Sequence, residues 1–131
     1  MVKKWIFMII LTTIIIVGCY FEARFIRSSF NWLINSIESL QIVITENKEK
    51  IDSEEIIKKS YSLQQNWHKK VGTLKCLVWH TGIKDIEVAL ARIAVYVEEN
   101  DFTEAYAETA SLIDYVAHYL DDFRVSTENI F

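Results

Sequence analysis

The sequence predicts an all-α protein: an N-terminal membrane helix followed by an antiparallel four-helix arrangement. Three observations predict it. Proline is absent and only three glycines occur, Gly18, Gly72 and Gly82. The tight turns of a β-rich domain need Gly, Pro, Asn-Gly or Asp-Gly, and neither dipeptide is present. Apolar residues make up 51% of the 131-residue chain, and an uncharged run of them fills Trp5 to Phe21. Beyond that run, apolar residues recur at three- and four-residue steps, the period of amphipathic helices.

The run WIFMIILTTIIIVGCYF rises about 1.5 Å per residue as a helix and so spans roughly 25 Å. Glu22 to Ile26 extend it, with Arg24 and Arg27 able to reach headgroups while their stems stay in apolar surroundings. Lys3 and Lys4 favour an N-terminus left in the cytoplasm, with Trp5 at the interface and the remainder outside. A second reading stays open. Ile16-Val17-Gly18-Cys19 fits a loose lipobox, in which cleavage leaves Cys19 as a lipidated N-terminus. Against it, Tyr20 to Ile26 continue as helix where a lipoprotein has a flexible tether. Either way, residues 1–24 form the anchor or signal segment and residues 25–131 an extracytoplasmic helical domain on the cytoplasmic membrane.

The first helix of that domain carries Phe25, Ile26, Phe30, Leu33, Ile34, Ile37, Leu40 and Ile44. No breaker separates it from the apolar run, so one long helix through Thr45 is expected. Asp52 or Ser53 caps the second, Asp52 and Glu55 having capping-box spacing. Its stripe is Ile56, Leu63, Trp67, Val71, Leu74 and Val78, and it should end near His80 at the Thr81-Gly82 break. The third presents Ile83, Ile86, Leu90, Ile93 and Val97 and closes at Asn100-Asp101. Asp101 or Thr103 caps the fourth, with Ala105, Leu112, Ile113, Val116, Tyr119, Leu120 and Phe123 inward. Short links make neighbours antiparallel. Four such faces suffice for a core, so folding requires no cofactor.

Net charge is −4, and setting aside the two positive residues Lys3 and Lys4 leaves −6 for the rest. An acidic domain with scattered Lys and Arg has no footprint for nucleic acid. No nucleophile elbow and no phosphate-cradling glycine loop occur. Cys76, between Leu74 and Leu77, reads as a small buried hydrophobe. The acids Glu98, Glu99, Asp101, Glu104 and Glu108 read as a solvated face, lacking the spacing of a calcium loop. His68 faces solvent, and His80 caps the negative end of the second helix. A metal site needs His80 and His118 to converge, with Asp85 or Asp114 as carboxylate, and no His-x-x-x-His or Glu-x-x-His pair occurs to hold two ligands on one helix face. Among the tryptophans, Trp67 fits the core stripe, whereas Trp32 is off the main stripe near the membrane and Trp79 ends the second helix. Each reads first as core, and if exposed as a headgroup or protein interface.

Trp67-His68-Lys69, the histidine His80, Leu90-Ala91-Arg92 within the Ile86 to Val97 stretch, His118 and the terminal Asn129-Ile130-Phe131 occur in an order that resembles domain of unknown function 4363, over nearly the whole chain. The resemblance implies a bacterial membrane-anchored helical domain, accessory to another membrane protein, with no established activity. In that family the histidine after the second helix follows an aspartate, and here the place is Trp79. The expectation is a non-enzymatic interaction module without cofactor. Its partners are the lipid bilayer and another membrane protein or a second copy, with Arg24, Arg27, Trp32 and Trp79 as interface. The rival is a ligand- or metal-sensing bundle using His80 and His118.

Overall fold

The computed structural model describes residues 1–74 and 80–128, with backbone alone at His80, Thr81 and residues 124–128. It contains four helices: α1 Val2–Glu46, α2 Glu54–Leu74, α3 His80–Glu98 and α4 Phe102–Glu128. No strand occurs among the described residues. Each helix packs on its chain neighbours, and α4 returns to close against α1. Cross-helix pairs show the antiparallel register. On α1, Phe30 meets Tyr119 of α4, while further along Gln41 Nε2 donates to Thr109 Oγ1 at 3.3 Å. Chain-order neighbours are antiparallel too. Ser39 with Lys59 and Trp32 with Lys70 show it for α1 and α2, Tyr61 with Glu98 and His68 with Glu87 for α2 and α3. Gly82 with Tyr119 and Arg92 with Glu108 show it for α3 and α4, so the helices run up, down, up and down.

The expected stripes form most of the core, except that Phe25 is exposed, Ile34 is only partly buried and Val78 lies outside the described residues. Ile26, Phe30, Leu33, Ile37, Leu40 and Ile44 of α1 are buried, as are Ile56, Leu63, Trp67, Val71 and Leu74 of α2. From α3 come Ile83, Ile86, Leu90, Ile93 and Val97, and from α4 Ala105, Leu112 and Val116. Ile113, Tyr119, Leu120 and Phe123 flank that core, partly buried. The α1 helix is continuous from the apolar run into the bundle. With no Pro and only Gly18 inside, nothing in it forces a kink.

At the pole far from the apolar run, the helix ends are tied locally and to each other. Asn100 takes φ 55°, the left-handed conformation common one residue past a helix. Around it Asn100 N–H donates to Val97 O and Asp101 N–H to Tyr96 O, at 3.1 and 2.9 Å, which together make a Schellman end. The Asn100 side chain also accepts from Ile51 N–H at 2.9 Å, clipping the α1–α2 link to the α3–α4 link. Asp101 Oδ1 accepts from Glu104 N–H at 3.1 Å and caps α4. At the start of α2 the cap is Ser53, whose Oγ accepts from Ile56 N–H at 3.4 Å. Asp52 forms no such bond, its Oδ1 being buried without a hydrogen-bond partner.

One expected boundary is wrong. His80, Thr81 and Gly82 do not end α2; they open α3. The physical reason lies across the bundle. A Cβ on Gly82 would stand 2.9 Å from Tyr119 Cε2 and 3.3 Å from Tyr115 Oη. Gly82 is thus a close-approach residue within a helix, not a breaker. The expected dipole contact of His80 rests on a side chain outside the described residues.

Candidate functional site

Two features of this bundle offer chemistry to the outside: the apolar extension of α1, and the surface just beyond it. From Trp5 to Phe21 every residue is exposed. A helix this long and apolar is of a length and composition to cross a membrane, and none of its apolar window is buried against protein. An apolar surface of this size left in water is unfavourable at about 25 cal/mol per Å². In a bilayer the same surface is satisfied, and all its backbone groups are bonded within the helix. Thr12 and Thr13 return their hydroxyl protons to Met8 O and Ile9 O, each at 2.8 Å, so neither leaves an unpaired donor in an apolar phase.

Cys19 is a free, exposed thiol within this segment. The helix passes through Gly18 and Cys19 without a break, and a Cβ on Gly18 would meet nothing within 4 Å. Arg24 and Arg27 follow on α1, both exposed. Neither belongs to an ion pair among the described residues, so both guanidinium groups are open to an external anion. Trp32 lies higher on α1, half-buried, with the Lys70 ammonium of α2 4.9 Å from its ring centroid. Ring and cation attract each other through the quadrupole of the indole. Trp79, expected to share this surface, and Cys76 lie outside the described residues.

Beneath this surface, three aromatic rings join three helices. Phe30 stands edge-on to Trp67, centroids 5.6 Å apart, and stacks on Tyr119 at 5.1 Å. Trp67 is fully buried, and its Nε1–H has no hydrogen-bond partner. Burial and a like-charged tyrosine neighbour raise the Tyr119 hydroxyl pKa, burial being the larger cause. That layer is structural: it holds α1, α2 and α4 together where α1 leaves the bundle.

The two described histidine side chains, His68 and His118, each have a partner within the protein. His118 is exposed; its Nδ1–H donates to Asp114 O one turn back at 2.8 Å. That backbone bond, followed by the Asp114 carboxylate and then Asp121 and Asp122, raises its pKa above the ordinary value. His68 pairs instead with Glu87 of α3, at 2.9 Å. Sequence reasoning missed this link because partners on different helices have no spacing to reveal them. The side chain of His80 lies outside the described residues. Among the described residues no group of three or more His, Cys, Asp or Glu could hold a metal ion. The acidic cluster is mostly committed to the fold: Asp101 caps α4, Glu108 pairs with Arg92 at 3.1 Å, and Glu98 bonds the Tyr61 hydroxyl.

Fold and surface together define a four-helix bundle whose first helix projects an uncovered apolar segment. Within that class the chain belongs to the family described as a domain of unknown function, number 4363, whose family model matches residues 20–130. The match takes in the bundle and leaves most of the apolar run outside. No curated protein and no solved structure matches the chain.

Proposed function

We propose that this protein is a non-enzymatic, membrane-anchored interaction module. The Trp5–Phe21 segment spans the cytoplasmic membrane once, with the N-terminus inside and residues 25–131 on the outer face. The bundle then meets another membrane protein or a second copy through the surface around Arg24, Arg27 and Trp32. One observation carries the reading: an apolar helix, uncovered by protein, runs without interruption into the first helix of a folded bundle. A rigid continuation of this kind holds the bundle at a set height and orientation over the bilayer. Lys3 and Lys4 ahead of the span support the inside placement of the N-terminus. The unbroken helix through Cys19 supports an uncleaved anchor over a lipidated, tethered one.

The test is fractionation of the full chain beside a version lacking residues 1–21. The full chain stays with membranes after alkaline carbonate extraction, and the shortened chain is soluble and helical. External protease digests the bundle of intact cells' spheroplasts, and mass spectrometry finds residues 1–18 still attached. Recovery of the full chain in the soluble fraction sinks the anchoring. Protection from external protease reverses the orientation, and a lipid-modified Cys19 at the mature N-terminus replaces the span with a lipid anchor.

A further inference from the structure

Along the outer seam of α1 and α2 lies a groove of about 360 Å³, within the size range of small-ligand sites. Its floor is apolar, from the buried Leu40 and Leu63. Its walls are neutral and polar: Asn35, Ser36 and Ser39 from α1, Ser62 and Asn66 from α2. Serine and asparagine are poor residues for helix interiors, yet they face each other here across adjacent helices. Asn35, Ser62 and Asn66 make no side-chain hydrogen bond to the described protein, so their amides and hydroxyl are available to a ligand.

The charge of the groove is opposite to that of the protein. No carboxylate lines it, although the chain carries a net −4. Lys59 lies at one end, its Nζ donating to Ser39 Oγ at 3.1 Å. At the other end the Lys70 ammonium stands over Trp32. Neither lysine belongs to an ion pair among the described residues. Along α2 the two are separated by roughly 16 Å of helix rise.

We propose that this groove binds an extended anionic glycan, an oligosaccharide of uronic-acid type. The amides and hydroxyls match sugar hydroxyls, the two lysines match carboxylates spaced along a chain, and the Trp32 indole offers an apolar body with a polar edge. A lipid headgroup of similar chemistry, such as inositol phosphate, is the other source of such a ligand. Trp32 lies about 9 Å beyond Ile26, where the extended apolar stretch ends, just past a headgroup layer roughly 5–8 Å deep. The groove therefore opens above the lipid. The binding claim uses bundle residues alone, so it stands or falls separately from the membrane orientation.

The experiment titrates the full chain in phosphatidylcholine nanodiscs with tetragalacturonate, maltotetraose and inorganic phosphate, by calorimetry. Tetragalacturonate binds saturably, more weakly as salt is raised, and about tenfold tighter than either control. Lys59→Gln and Lys70→Gln each weaken it about tenfold, the loss of one charge-assisted contact, while Lys59→Arg keeps it. Nanodiscs containing phosphatidylinositol leave the affinity unchanged. Absence of saturable binding by the wild-type chain overturns the proposal, as does equal affinity for maltotetraose or phosphate. Indifference to both lysine substitutions also overturns it. A loss of affinity in the phosphatidylinositol discs gives the groove to a headgroup instead.

Discussion

Gly82 of α3 lies against the ring of Tyr119 on α4, so close that a methyl group there would stand 2.9 Å from Tyr119 Cε2. Tyr119 cannot swing away freely, because its other contact is the stacked ring of Phe30. Gly82→Ala therefore sets a gain in helix propensity against a steric clash with a held ring. The clash wins, and the substitution destabilises by about 1–2 kcal/mol. Gly72→Ala is the control, since a Cβ at Gly72 meets nothing within 4 Å. It stabilises by up to about 1 kcal/mol. Denaturant melts of both variants in detergent measure the pair, and a stabilised Gly82→Ala would contradict the contact.

Asn100 does two things at the distal pole: it adopts positive φ and it accepts from Ile51 N–H. Asn100→Ala loses both, costing about 2 kcal/mol, with roughly 1 from the backbone and 1 from the bond. Asn100→Gly keeps the conformation and loses only the bond, so it costs about half as much. Equal destabilisation by the two variants would show that the bond alone matters.

The indole of Trp67 is fully buried with an unpaired N–H. Trp67→Phe removes that orphan donor, worth about 1–3 kcal/mol, but leaves a small void. The two effects offset, and the net change is within about 1 kcal/mol. Trp67→Ala has no such compensation and costs about 3–5 kcal/mol. A Phe variant as damaged as the Ala variant would mean that the N–H is bonded in solution.

His118 titrates above its ordinary value of 6.5, because its Nδ1–H bond to Asp114 O and the neighbouring carboxylates favour the cation. A pKa raised by folding contributes stability that is full below the unfolded value and fades as pH rises through the folded one. The difference in stability between wild type and His118→Gln therefore shrinks as pH is raised above 6.5. Proton NMR of the imidazole follows the group directly. Asp114→Asn moves its midpoint down by removing the nearest charge, and an unmoved midpoint would remove Asp114 from the account.

Much of the fold was legible in the chain itself. The stripes Ile83-Ile86-Leu90-Ile93-Val97 and Ile56-Leu63-Trp67-Val71-Leu74 repeat at helical period, and a helix with such a stripe has only one face to bury. Asp101 was readable as a cap and Trp5–Phe21 as an apolar helix, because hydropathy and capping are local properties. The candidate surface was legible only in part. Arg24 and Arg27 announced themselves by their place after the apolar run, but the partner of Trp32 did not, since Lys70 is distant along the chain.

What the sequence by itself determined is the helical period, the apolar run and the order of the helices, all set by neighbours within a few residues. Tertiary structure alone decided that Gly82 is a contact and not a break, that His68 meets Glu87, and that Asn35, Ser39, Ser62 and Asn66 line one groove. Those outcomes depend on which helix faces which, and at what height. Helix period says which residues share a face, but only packing brings two faces together.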